Sequence, residues 1–149
     1  MKTSSVAILI LSVILSVVLV TSSSADQLKP GVANTVTLAD GSVVYDPNGE
    51  WDVVMDSNKF GVSEDIIKIT QDGNKFVGIK VIGNKWVGAG EETIRGELVG
   101  DGFKSYEVYT FREGWLPGNA KILDDGNKIV DTLKIDWQML TVVSTLTRK

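Results

Sequence analysis

Carboxylates are the side chains of this chain with most scope for moving protons. The 149 residues contain 19 Asp and Glu against 15 Lys and Arg, with no histidine and no cysteine. Without imidazole or thiol, Ser-His-Asp and Cys-His nucleophilic schemes are excluded. Zinc and copper sites of the usual nitrogen and sulfur type lose their ligands as well, so no metal is expected. Three carboxylate pairs remain: Glu91-Glu92, Asp124-Asp125, and Asp131 with Asp136. Adjacent residues in a strand face opposite ways, so adjacency alone makes no general acid/base dyad. The first two pairs also sit in or beside turns, where acids are solvated. The oxygen-rich runs Asp46-Pro47-Asn48-Gly49 and Asp124-Asp125-Gly126-Asn127 lack the spacing and closing glutamate of a calcium loop. Gly88-Ala89-Gly90 lacks the lysine and following helix of a phosphate loop. No catalytic residue and no cofactor are therefore expected, and an enzyme is the less favoured class.

Aromatic and charged groups concentrate in one stretch. Strict alternation from Phe103 to Arg112 sets Phe103, Ser105, Glu107, Tyr109 and Phe111 against Lys104, Tyr106, Val108, Thr110 and Arg112. If the aromatic face points inward, Glu107 enters with it, and a buried carboxylate is costly unless paired. Arg95 reaches such a Glu107 only if Ile94 and Leu98 turn outward, against their character. The alternative has Glu107 reaching water near a barrel mouth. Trp86 and Trp115 flank glycine-rich corners, where an indole could gate an opening. Trp137, between two apolar strands, is expected in the core. The candidate ligand contacts are thus Trp86, Glu107, Tyr109, Arg112 and Trp115.

Those residues need a scaffold, and turn punctuation supplies it. Asp40-Gly41, Asn48-Gly49, Asp72-Gly73-Asn74, Gly83-Asn84, Gly100-Asp101-Gly102, Pro117-Gly118-Asn119 and Gly126-Asn127 separate short apolar runs. Gly-Asn-Lys recurs three times, but its flanks do not align, so it reads as shared turn chemistry rather than a repeat. The runs predict main strands near 51–55, 65–70, 75–82, 93–99, 103–111, 120–123, 128–135 and 138–147. A short hairpin precedes them, with 36–38 and 43–45 flanking Ala39-Asp40-Gly41-Ser42. The expected fold is all-β: an antiparallel up-and-down barrel of about eight strands. Its inward set is read as Ile67, Ile69, Val77, Ile79, Val81, Ile94, Leu98, Ile129, Leu133 and Ile135. Any cavity these leave would be apolar.

The N-terminus reads as a targeting segment. One lysine precedes an apolar run from Val6 to Val20, about fifteen residues, which suits a signal peptide better than a membrane span. Cleavage is expected after Ala25, giving a signal peptide at 1–25, an N-terminal segment with the hairpin at 26–48 and the barrel at 49–149. The product would be secreted or periplasmic, without stable membrane insertion after cleavage. Export without cysteine means that stability rests on the core rather than on disulfides. The net charge of −4 has no basic block, so nucleic acid is not an expected partner.

Gly49-Glu50-Trp51, at the start of the first main strand, resembles the Gly-x-Trp opening of the calycin superfamily: lipocalins, fatty-acid-binding proteins and avidins. The resemblance covers Gly49 to Lys149. It implies a barrel whose tryptophan packs across the closed end beneath a basic residue of the last strand. Gly49, Trp51 and Arg148 would then form the structural barrel floor. The Thr-Asp-Tyr type of motif found in many lipocalins is absent, and no ligand is carried over. The leading expectation is a binding protein for a small apolar ligand. The alternatives are a protein-interaction or inhibitor module with a filled barrel, and a barrel isomerase or cyclase using Glu107 and Arg112.

Overall fold

A computed structural model describes residues 34–149; the expected signal peptide lies outside the described residues. Eleven strands follow in order: β1 (Thr35–Thr37), β2 (Val43–Tyr45), β3 (Gly49–Ser57), β4 (Gly61–Asp72), β5 (Lys75–Lys80), β6 (Glu92–Val99), β7 (Gly102–Thr110), β8 (Gly114–Pro117), β9 (Asn119–Leu123), β10 (Lys128–Ile135) and β11 (Leu140–Arg148). β1 and β2 form the small hairpin. The other nine make one antiparallel sheet in the order β8-β7-β6-β5-β4-β3-β11-β10-β9.

The two ends of that order, β8 and β9, are separated by Gly118 alone. β8 pairs with β7, and β9 pairs with β10. A single run of chain therefore carries both sheet edges, and the sheet is a nearly closed up-and-down barrel. Gly118 donates its N–H to the Tyr106 carbonyl at 2.9 Å at this seam. A Cβ there would stand 2.5 Å from Asp131 Oδ1 and 3.0 Å from the Tyr106 ring, so the change of partner needs glycine.

The all-β barrel expected from the turn rhythm is the fold observed, with four local corrections. Leu116-Pro117-Gly118-Asn119 does not reverse the chain. The reversal comes earlier, at residues 111–113 before Gly114 (φ +72°), and Trp115 lies in a strand. Pro117 ends β8, where its missing N–H breaks no ladder.

β5 presents Phe76, Gly78 and Lys80 inward, not Val77, Ile79 and Val81. Aliphatic residues on one face competed with a single phenylalanine on the other, and the bulkier ring took the core. A shift of register between Glu97 and Leu98 makes Lys104 an extra residue on β7. Such a bulge changes the parity of the strand, and Phe103 and Tyr106 both pack inside. Finally, Trp137 is 70% exposed. It sits in a 3-10 turn, Asp136–Gln138, rather than between strands.

The main core gathers Val44, Tyr45, Trp51, Ile69, Phe76, Leu98, Tyr106, Ile129 and Leu146. Val44 and Tyr45 come from the hairpin, which is held to the barrel by Tyr45 N–H on the Gly100 carbonyl (2.8 Å). The hairpin thus seals one end of the barrel.

Candidate ligand-binding site

The sealed end is held by groups from opposite ends of the sequence. Trp51 is fully buried, and its indole Nε1 donates to the Pro47 carbonyl at 2.9 Å. Register places Arg148 opposite Trp51, with the guanidinium carbon 4.6 Å from the ring centre. Arg148 donates to the carbonyls of Asp46 (2.7 Å) and Asn48. The Tyr45 hydroxyl donates to the Gly126 carbonyl at 2.6 Å, and burial pushes its pKa up to about 12. Gly49, with φ +130° and Arg148 against it, turns the chain into β3.

The connections β3–β4, β5–β6, β7–β8 and β10–β11 lie at the other end, around a cavity of about 870 Å³. Its middle is aliphatic: Val53, Ile67, Ile94, Leu133, Val142 and Leu146. The rim is tied across loops by Asn58, which bonds the Met139 carbonyl (3.1 Å) and the Thr141 N–H (3.0 Å). In the β5–β6 loop Asn84 Oδ1 accepts from the backbone of Trp86 and Val87 at 2.8 and 2.9 Å, which presents the indole of Trp86 at the rim. That ring meets Phe111 at 5.5 Å, with Lys85 Nζ 4.6 Å from its centre.

Two polar features interrupt the apolar wall. Lys80 and Asp65 form an ion pair with side chains only 4% and 8% exposed, and burial lowers the pKa of Lys80. Asp131, 1% exposed, has no such partner among the described residues. Its Oδ1 and the Tyr106 hydroxyl are buried and make no hydrogen bond among the described residues. Burial raises the Asp131 carboxyl to about 6, against the pull of the Thr132 and Asn119 backbone amides. Burial, with the Asp131 charge adding, drives the Tyr106 phenol well above its usual range.

The sequence-derived contacts divide. Trp86, Tyr109 and Arg112 line the mouth of the cavity. Glu107 and Trp115 do not line it. Arg95 and Glu107 are register partners on the outer face, where Nε and Oε2 pair at 2.7 Å, and the Arg95 guanidinium lies 4.1 Å from the centre of Trp115. Tyr109 meets Trp115 edge-on at 5.5 Å. Ile94 and Leu98 still face inward.

None of the three carboxylate pairs forms a dyad. Glu91-Glu92 and Asp136 are exposed, and Asp124-Asp125 forms a turn. Tyr106, Lys80 and Asp65 are absent from the sequence-derived contacts, and Asp131 enters the sequence analysis only through its pairing with Asp136. Parity offered a signal for Asp131, which sits in phase with Ile129, Leu133 and Ile135 on the buried face of β10.

Searches against protein-family models and curated proteins returned no match to this chain. The nearly closed barrel is consistent with a calycin-like fold.

Proposed function

We propose that the barrel is a calycin-like binding protein, exported from the cell, that holds one small, mainly apolar molecule in its interior. The observation carrying this reading is the cavity: about 870 Å³, walled by aliphatic residues and opening between aromatic loops. Ligand pockets commonly run from about 300 to 1,000 Å³ with mostly apolar walls and a few placed polar groups. The indole of Trp51 at the sealed end, with Arg148 across it, supports the kinship with calycins.

Titration with a neutral environment-sensitive dye such as Nile red tests the reading. Saturable binding at one site per chain is expected, with displacement by medium-chain aliphatic molecules. Absence of saturable binding, with no molecule retained in native mass spectra of protein from its own host, contradicts it.

A second reading is a protein-interaction module. It draws on the exposed apolar side chains of Phe60, Trp137 and Met139 around the mouth. The version with a barrel packed solid needs an interior without such space. An isomerase built on Glu107 and Arg112 finds little support, because Arg95 holds the Glu107 carboxylate on the outer wall.

A further inference from the structure

The charges inside the cavity do not balance. Asp65 and Lys80 neutralise each other, while Asp131 faces no cation among the described residues. From the elements packed against Asp131 come the Tyr106 hydroxyl on β7, Ala120 on β9 and Ser144 on β11; Tyr106 alone among them titrates. The β8–β9 seam adds Gly118, whose missing side chain leaves room for the carboxylate. One carboxylate oxygen, Asp131 Oδ1, and one hydroxyl, that of Tyr106, thus stand buried without a hydrogen bond among the described residues, in a mainly aliphatic wall.

We propose that the carboxylate of Asp131 and the hydroxyl of Tyr106 form a subsite for the protonated amine of an otherwise apolar ligand. This inference rests on the interior binding reading above and names the ligand class. An ammonium group carries three donors and no acceptor, so it can give one bond to the carboxylate and one to the phenol oxygen. It also supplies the missing positive charge, and charge-assisted bonds of this kind are the stronger ones. A fatty acid fits worse: its carboxylate would meet Asp131 as a like charge, and Lys80 is already held by Asp65. An alcohol can donate to Asp131 but leaves the charge uncompensated. The aliphatic wall then takes the hydrocarbon body.

The test is displacement of Nile red by three ligands of one chain length: decylamine, decanol and decanoate. At pH 7.5 decylamine should compete at a concentration at least about tenfold below decanol, the scale of one buried charge-assisted bond, with decanoate weakest. The carboxyl titrates near 6, so the amine advantage should shrink as pH falls below that value. Asp131→Asn should bring the ratio of amine to alcohol towards one, and Tyr106→Phe should reduce it part of the way. The ligand series on the unaltered protein decides the matter even if a variant fails to fold. Dye binding without an amine preference, as expected if water alone satisfies the two groups, overturns this inference and leaves the apolar cavity standing. An amine preference that survives in Asp131→Asn also overturns it. Absence of dye binding removes the cavity reading and this inference with it.

Discussion

At the sealed end of the barrel the indole N–H of Trp51, the hydroxyl of Tyr45 and the terminal nitrogens of Arg148 all reach backbone carbonyls. Arg148 Nε is the exception among them. In the cavity the Lys80–Asp65 pair is satisfied, but Asp131 Oδ1 and the Tyr106 hydroxyl are as deeply buried and make no hydrogen bond among the described residues. Large apolar residues such as Phe60, Trp137 and Met139 stand out in solvent at the rim. Satisfied polar groups rigidify a structure, whereas unsatisfied ones lower its stability and persist where something else uses them. The contrast separates a region built for stability from one that carries a local cost consistent with binding.

Removing a satisfied group and removing the charge of Asp131 should therefore move stability in opposite directions. The largest loss is expected from Trp51→Ala, which empties the floor and removes the surface under Arg148. About 3–5 kcal/mol should disappear from the unfolding free energy in urea. Asp65→Asn comes next, because it strands the Lys80 ammonium in the wall; about 3 kcal/mol should be lost by the same assay. Replacing both partners with similar-sized apolar residues should recover most of it.

Asp131→Asn should act the other way. The folded pKa of Asp131 is raised from 3.8 to about 6. The folded protein therefore binds more protons than the unfolded chain between those values, and this group's contribution falls as pH rises through that window. Above it, the ionised carboxylate costs about 1–3 kcal/mol, which the neutral amide should restore at pH 7 while flattening the pH dependence between about 4 and 6. Thermal unfolding across pH checks both. Equal stability at pH 7 and an unchanged pH profile would place Asp131 with the satisfied groups. The smallest effect is expected at the outer wall. Arg95 and Glu107 are each about two-fifths exposed, so Glu107→Gln should shift stability by less than about 1 kcal/mol.

The barrel was legible in the sequence because turns are chemically marked: Asp-Gly and Asn-Gly need few neighbours to reverse a chain. Alternation placed Ile67, Ile69, Ile94, Leu98, Ile129 and Leu133 correctly on the buried face. It failed where a tertiary contact outranked the local pattern. On β5 one phenylalanine outweighed the aliphatics Val77 and Ile79, and on β7 an extra residue moved Tyr106 and Glu107 relative to Phe103. The cavity's polar groups were missed for a related reason. Lys80 and Asp65 are fifteen positions apart and meet through strand pairing, while pairing Asp131 with Asp136 by residue type hides its phase on β10. The seam at Gly118 carries the signature of a turn, and only the identity of its two partner strands distinguishes a change of neighbour from a reversal.

Methyl-resolved NMR during titration with a medium-chain aliphatic ligand tests most directly whether the interior is the binding site. Saturable shifts are expected at the methyls of Ile67, Ile94, Leu133 and Leu146, which line the cavity. Ile69, opposite Gly49 on β3, and Leu98, whose N–H reaches the Asn74 carbonyl, lie towards the sealed end and should stay close to their starting positions. Shifts confined to the rim, or spread evenly over both groups without saturation, would contradict an interior site.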